Sequence, residues 1–391
     1  MKFPVSPHIE GVHFPPISEV KEWLENRPPT PGPGLIDLCQ AVPDYPPAPE
    51  LVAHLKALLD DPTVSRYSPD EGLLEVRETV CSWYHRQYGG GPQPDHLCLT
   101  IGASQAFWLA MTVLCRAGDE VLLQAPAYFD HPMALQVLGI RTVYAPFDPS
   151  SGGLPDPVKI AERITPRTRA LLLVSPSNPT GAVIPPETVQ ELAELARRKK
   201  IALVLDETYN AFIDGSPHHL FQDPAWPDHF VHLASFGKTF ALTGYRAGAL
   251  IASVPFIRQA LKVQDTMAVC QPRITQHAIA FGCARLDDWT AANRAMMLHR
   301  HDLFHDLFRK PGNPFELVAS GGFFAWVKHP FPGRSGREAA RLLVERANLI
   351  CLPGEVFGPG LEDYLRLAFG NITEAEIPGA VARFRDLSGA L

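Results

Sequence analysis

Ser235-Phe236-Gly237-Lys238-Thr239-Phe240-Ala241-Leu242-Thr243-Gly244-Tyr245-Arg246-Ala247-Gly248 is the stretch on which the reading of this chain turns. It sets one lysine among small residues, with an arginine two helical turns further on. A lysine amine becomes a nucleophile toward carbonyls when desolvation or a nearby cation suppresses its charge. Arg246 is the candidate cation. The small neighbours Ser235, Gly237, Gly244, Ala247 and Gly248 leave room for a flat aromatic ring and a phosphate.

Two other readings compete. Gly237-Lys238-Thr239 has the form of the end of a P-loop, but that motif needs glycine at the position of His232, which sets it aside. The other is a plain surface lysine on an amphipathic helix. Against both stands a Schiff-base lysine holding pyridoxal phosphate, and the remainder of the chain decides among them.

At 391 residues the chain is long enough for two domains. Apolar residues make up 46% and charged ones 20%, a soluble globular balance. The formal net charge of -7, without a long basic run, argues against nucleic acid or an anionic membrane as partner. The seven cysteines are scattered and form no Cys-x-x-Cys, which suits reduced thiols in a cytoplasmic protein. The N-terminus has no apolar stretch of signal-peptide length, and no segment approaches the roughly 20 apolar residues of a membrane span.

Upstream of the lysine, short apolar strands alternate with helices. A short helix is expected near Ile17-Trp23, a Pro/Gly linker from Asn26 to Gly34, and helices from about Pro49 to Leu59 and Glu71 to Tyr88. Strands Leu97-Ile101, Glu120-Gln124 and Thr142-Ala145 follow, with helices from about Ser104 to Cys115 and near Pro132-Leu138 between them. Ala170-Val174 and Ala202-Leu205 read as strands buried on both faces, separated by a helix over Glu187-Lys199. His232-Ala234 leads into the lysine segment and Ala249-Ala252 follows it. This is an α/β domain with a mostly parallel sheet. From about residue 285 the pattern changes to a long helix (Ala291-Arg309), strands Phe315-Val318 and Phe323-Val327 about a Gly321-Gly322 turn, and a helix over Glu338-Arg346. That is a smaller α+β domain.

In such a sheet the functional edge lies at the carboxyl ends of the strands. Gly102-Ala103-Ser104 opens a helix there, and small residues at a helix N-terminus offer free N–H groups to a phosphate. Asn178, in the rigid turn Ser175-Pro176-Ser177-Asn178-Pro179-Thr180-Gly181, either faces a ligand oxygen or forms an Asx-turn. Asp206, directly after a buried strand, needs a cationic partner: a pyridinium N–H, an arginine, or a helix it caps. Arg366, in the alternating strand Tyr364-Leu365-Arg366-Leu367, either meets an anion or faces water from an edge.

Together these blocks resemble the class I/II aminotransferases among the fold-type I pyridoxal-phosphate enzymes, over nearly the full length. The resemblance rests on Ile36-Asp44, Tyr67-Ser68-Pro69-Asp70-Glu71-Gly72 through Arg77, Ser177-Gly181, Asp206-Glu207-Thr208-Tyr209, the lysine segment, and Leu352-Gly358 before Tyr364-Leu365-Arg366. It implies a large domain over 46-284 and a small one from 1-45 and 285-391. It implies an aminotransferase that moves an amino group from an L-amino acid to a 2-oxo acid by a ping-pong mechanism. Lys238 would bind the cofactor and carry the α-carbon proton. Asp206 would pair with the pyridine nitrogen, and Tyr209 and Asn178 would bond the ring hydroxyl oxygen. Tyr128 would stack on the ring; Gly102, Ala103, Ser104, Ser235 and Arg246 would hold the phosphate. Tyr67 would reach the other subunit's phosphate, making the active unit a homodimer. Arg366 would grip the substrate carboxylate, with Ile17 and Ala41 lining the entrance.

Several positions depart from the common pattern. Ala41 replaces a glycine, Gly237 a small hydroxyl residue, and Asn210 an acidic one. Ser104 stands where some aspartate-specific relatives carry lysine. Arg273 replaces a small hydroxyl residue, and would bind a second carboxylate across the subunit interface or make an interface salt bridge. The alternatives on the same fold are a carbon-sulfur β-lyase or an amino-acid decarboxylase. From another class, the fold serves as a non-catalytic ligand-sensing domain, against which intact Lys238, Asp206 and Arg366 argue. His299, His301 and His305 are read as a solvated helix face, and no metal is expected.

Overall fold

A computed structural model describes residues 3–25 and 34–387 of the chain. The expected Asn26-Gly34 linker lies, but for its last residue, outside the described residues.

The apolar runs build one seven-stranded sheet. Its strands are β1 (Leu97–Ile101), β2 (Glu120–Gln124), β3 (Arg141–Ala145), β4 (Thr168–Val174), β5 (Ala202–Asp206), β6 (Phe230–Ser235) and β7 (Ala247–Ile251). They lie in the order β1-β7-β6-β5-β4-β2-β3. Only β7 runs against its neighbours, β1 and β6; the other pairings are parallel. The mostly parallel sheet expected from sequence is present. Successive strand residues point to opposite faces. Leu171, Leu173, Leu203 and Leu205 therefore enter one apolar layer, and Ala170, Leu172 and Val204 the other. Each fully buried leucine contributes about 1.5–3 kcal/mol, which is why these runs are continuously apolar.

The main helices are α1 (Pro16–Glu25), α2 (Leu74–Tyr88), α3 (Gly102–Leu114), α4 (Asp130–Val137), α5 (Val254–Ala268), α6 (Arg273–Arg285) and α7 (Asp287–Phe308). Some bounds differ from the sequence reading. α2 starts three residues later than Glu71, because Gly72 turns the chain with φ +100° and a Cβ there would stand 2.6 Å from Leu99. α3 starts two residues before Ser104, straight from β1 with no side-chain cap. α7 runs from Asp287 rather than Ala291. α5 and α6 had no counterpart in the sequence reading. Their inner faces include the fully buried Gln264 and Gln276, which break the apolar stripe that betrays a helix.

A second, antiparallel sheet holds β8 (Glu316–Gly321), β9 (Phe324–Lys328), β10 (Leu352–Pro353) and β11 (Tyr364–Leu367), in the order β10-β11-β9-β8. β11 is thus an interior strand. The helix expected over Glu338-Arg346 spans Gly336–Leu342, opens on a Ser335/Glu338 capping box, and ends in a π turn through Ala347. A two-residue parallel pair, Ile36–Asp37 with Leu349–Ile350, ties the start of the chain to this part. Ile36, Leu38, Phe304, Leu343 and Phe384 share its apolar core. No described helix is long and apolar enough to cross a membrane.

Candidate active site

The carboxyl ends of β1, β4, β5 and β6 reach one edge of the large sheet, and the segments that leave them meet around a cavity of about 630 Å³. Gly102, Ala103, Ser104, Tyr128, Asn178, Asp206, Tyr209, Ser235, Lys238, Arg246, Arg366, Ile17 and Ala41 all line it. These residues come from segments as distant in sequence as Ile17 and Arg366.

Lys238 sits in a single helical turn, Phe236–Thr239, that follows β6. The surface-lysine reading is excluded: the side chain points into the cavity and its Nζ donates to the Ala41 carbonyl at 2.5 Å. Burial first, then the charges of Arg246 and Arg366, bring this amine down from 10.5 to about 8. Arg246 therefore acts on Lys238, but by another path than a shared helix. The helix stops at Thr239, a tight turn spans Thr243–Tyr245, and Arg246 adopts a left-handed backbone with φ +59°. Its guanidinium lies against Gly102, where an added Cβ would stand 2.5 Å from Nη2. Gly248 lets the strand pass as closely: a Cβ there would meet the Gly102 backbone at 2.4 Å. Two glycines thus bring a cation up to the N-terminus of α3.

Asp206, at the end of β5, is buried. Its Oδ2 lies 3.2 Å from His131 Nε2, and its Oδ1 accepts from Thr208 N and Oγ1 at 3.0 and 2.6 Å. Burial alone would raise this carboxyl, but the hydrogen bonds from His131 and Thr208 hold it below the ordinary carboxylate value. Of the readings left open, neither arginine nor helix cap applies; a histidine on α4 is the partner. Sequence reasoning missed His131, which sits in no motif and reaches Asp206 only because α4 packs beside the sheet edge.

Arg366 is 1% exposed on the interior strand β11, so the water-facing reading is excluded. Its Nη1 donates to Asn178 Oδ1 at 3.2 Å and its Nη2 to the Cys39 carbonyl. The rings of Phe324 and Phe357 lie 5.2 and 5.6 Å from the guanidinium carbon, while Nε has no partner among the described residues. Asn178 is accordingly turned toward Arg366. Tyr209 is buried against Phe323 and Phe324. The Tyr128 hydroxyl donates to Asp130 Oδ2 at 2.5 Å.

Two expected residues lie outside this cavity. Tyr67 is 78% exposed, and Arg273 donates through Nε and Nη2 to the Tyr67 carbonyl at 3.2 and 2.9 Å. Within one chain Arg273 does not enter the site. Arg77, in the same run of sequence, is buried and bonds the carbonyls of Gly72 and Pro94.

The family profile described as "Aminotransferase class I and II" matches residues 33–384. The chain belongs to this family. An aromatic aminotransferase of Arabidopsis thaliana is 28% identical over 358 residues, covering 90% of this chain and 89% of its own. A probable aspartate/prephenate aminotransferase of Thermus aquaticus is 30% identical, covering 90% and 91%. The solved aspartate aminotransferase of Thermus thermophilus with maleate is 26% identical and superposes with a TM-score of 0.89 over 98% of this chain and all (100%) of that one. This protein is an amino-acid aminotransferase of the pyridoxal-phosphate-dependent kind, with the fold of the aspartate aminotransferases. The cavity fits that cofactor: a depressed lysine amine, an anionic carboxylate lining the same cavity, and a glycine-lined approach of Arg246 to a helix N-terminus.

Behind the sheet edge, Glu207 points away from the cavity into a buried polar cluster. Its Oε2 accepts from Tyr88 Oη at 2.6 Å and lies 2.8 Å from His232 Nε2 and 3.3 Å from His218 Nε2. Asn210 Nδ2 donates to Tyr88 Oη at 2.6 Å. Burial would raise Glu207, but the two histidines hold it well below the usual carboxylate range. Among the described residues this is the one group with metal-ligand spacing. The Leu220 N–H donates to His218 Nδ1 at 3.1 Å, so a neutral His218 carries its proton on Nε2, facing Glu207. A proton there leaves no lone pair for a metal; the hydrogen bonds of the cluster join Glu207 to Tyr88 and His232 and Tyr88 to Asn210, with His218 in close contact at 3.3 Å. His301 and His305, 5.9 Å apart on α7, contact Asp302, Asp306 and Ser320.

Proposed function

We propose that Lys238 holds pyridoxal phosphate and carries the transferred proton while the enzyme moves an amino group from an L-amino acid to a 2-oxo acid by a ping-pong route. The observation that carries this reading is the Lys238 amine, brought to about 8 inside a cavity that also presents Asp206, Arg246 and Arg366. When bound, the cofactor supplies a carbonyl that takes the amine and a ring that stores the electrons of the α-carbon.

The chain's residues do the rest. Arg246, Ser235 and the start of α3 from Gly102 to Ser104 hold the phosphate. Asp206 stays anionic and keeps a proton on the ring nitrogen. Tyr128 supports the ring face. Asn178 Oδ1 is taken by Arg366, which leaves its Nδ2 donors, with the Tyr209 hydroxyl, for the ring hydroxyl oxygen. Arg366, packed near Phe324 and Phe357, receives the substrate carboxylate on its free edge. Neutral Lys238 Nζ takes the α-proton and returns it to the cofactor side.

We further propose a homodimer in which Tyr67 serves the partner's phosphate. Exposed Tyr67, Leu74 and Tyr245, at 78%, 50% and 40%, support this; they surround the start of α6, where Arg273, Gln276 and Thr275 bond Tyr67, Leu73 and Tyr245. We propose, too, a large domain over 46-284 and a small one from 1-45 and 285-391; the separate sheets support this division. Seven free cysteines support a reducing cytoplasmic setting.

The test is the half-reaction. Protein loaded with pyridoxal phosphate should show a visible absorption band; given one donor without acceptor it should lose that band and release about one 2-oxo acid per site, and a 2-oxo acid should then restore it. Lys238→Ala should show neither. Release of carbon dioxide, or of sulfide with pyruvate and ammonia, in place of that exchange would favour a decarboxylase or a β-lyase.

A further inference from the structure

We infer that the amino acid accepted here carries a neutral, apolar side chain, aromatic or branched aliphatic, rather than a second carboxylate. The inference rests on the aminotransferase reading of the Lys238 site and deepens it.

The cavity has two unlike ends. Lys238, Arg246, Arg366 and Asp206 gather at the sheet edge. The mouth is formed by Val12 and Ile17 of the N-terminal segment, Trp108 of α3, and Phe129, Met133 and Val137 of and before α4. These walls are held together. His8 Nε2 lies 2.8 Å from the Val137 carbonyl, and the His13 N–H donates to Gln136. Met133 and Val137 are one helical turn apart and share a face. Trp108 stands one turn beyond Ser104 on α3, so its ring lies just past the proposed phosphate cradle.

The charges on the described lining leave nothing for a distal carboxylate. The lysine and the two arginines there are Lys238, Arg246 and Arg366, each with a role already given. His131 is engaged with Asp206. Asp130, the other acid of the lining, adds negative charge beside the mouth. A neighbouring cavity of about 840 Å³ shares Phe129 and Met133 and contains Arg141 and Arg337. Both are spent, Arg141 on Glu120 at 3.1 Å and Arg337 on Glu19 at 2.9 Å. Arg273 is tied to the Tyr67 carbonyl. A second carboxylate would lose its hydration among largely apolar walls with no cation left to pair with it. An aromatic ring would instead pack among Trp108, Phe129 and Met133, which all line the cavity.

The experiment compares kcat/KM of the loaded enzyme for phenylalanine and leucine against aspartate and glutamate. Neutral donors should lead by about 10²-fold; equal or better rates with the acidic pair would overturn the inference while leaving the aminotransferase reading intact. In parallel, the unreactive acids 3-phenylpropionate and succinate are titrated onto the same enzyme. Tighter 3-phenylpropionate binding is expected, and equal or tighter succinate binding counts against the inference. Preferential 3-phenylpropionate binding without transamination of any donor would sink the function and keep the pocket. Met133→Lys should shift the acidic-to-neutral ratio about tenfold toward acidic donors, whereas Arg273→Ala should leave the ratio unchanged. A selective loss of acidic donors in Arg273→Ala would show that a cation from the dimer reaches the side chain, and would overturn the inference.

Discussion

Lys238 is unusual because the fold keeps its amine where protonation is costly. In the unfolded chain it binds a proton up to 10.5, in the folded chain only up to about 8. Between those values the unfolded state holds more protons, so this group makes stability rise with pH; below about 8 its full penalty is present. Lys238→Met removes that penalty. In cofactor-free protein the gain in Tm of Lys238→Met over the parent should therefore be largest near pH 7 and shrink toward pH 10. A gain constant across that range would mean the amine titrates at its ordinary value. Asp206 is tuned in the other direction, kept anionic despite burial by His131 and Thr208. Asp206→Ala should retain pyridoxal phosphate yet lose about 10²–10³ in turnover, the usual cost of one preorganised electrostatic partner. Near-normal turnover in single-turnover kinetics would show that another group protonates the ring.

Among the elements, the junction of β1 and α3 is the least forgiving. Gly102 has φ +74°, and a Cβ there would meet the Arg246 guanidinium. Gly102→Ala should displace Arg246 and weaken cofactor binding at least tenfold by equilibrium dialysis, with little change in far-UV dichroism. Unchanged affinity would remove Arg246 and this turn from the phosphate site. On the reverse side, Glu207 pegs the end of β5 to β6 and α2 through His232 and Tyr88. Deleting a hydrogen bond to a buried charge costs about 1.5–3 kcal/mol. His232→Ala should lose that much in urea unfolding; a loss under about 0.5 kcal/mol, the range of neutral surface changes, would mean the network bears little of the fold.

The whole molecule raises the matter of assembly. Tyr67 and Arg273 lie outside their own chain's cavity, so the proposed dimer gives Tyr67 a site to serve. Inactive Tyr67→Ala and inactive Lys238→Ala chains, once mixed and exchanged, should recover up to about a quarter of native activity. One hybrid site in each mixed dimer would then carry both native residues. Recovery absent despite demonstrated exchange would confine Tyr67 to its own chain.

Local pattern was enough for much of this protein. Continuous apolar runs such as Leu171-Leu172-Leu173 announce a strand buried on both faces, since each residue must satisfy one layer or the other. The lysine segment, Asp206 after its strand and Asn178 in its proline turn were legible because small residues, charges and turn formers stand at fixed spacings. Packing decided what spacing cannot express. α5 and α6 leave no clear apolar stripe in the sequence because the buried Gln264 and Gln276 interrupt their inner faces. His131 carries no local mark, and becomes Asp206's partner only when α4 docks at the sheet edge. On sequence alone Arg366 reads first as a water-facing edge residue, and that reading falls because β9 and β10 flank its strand. The direction of Arg273 and the apolar walls of the mouth depend on side chains from segments more than a hundred residues apart. The sequence alone specified which chemistry is present, because strand period and turn chemistry act over a few residues. Only the tertiary structure decided which charges stay free for substrate, because a charge is spent by whichever group the fold brings beside it.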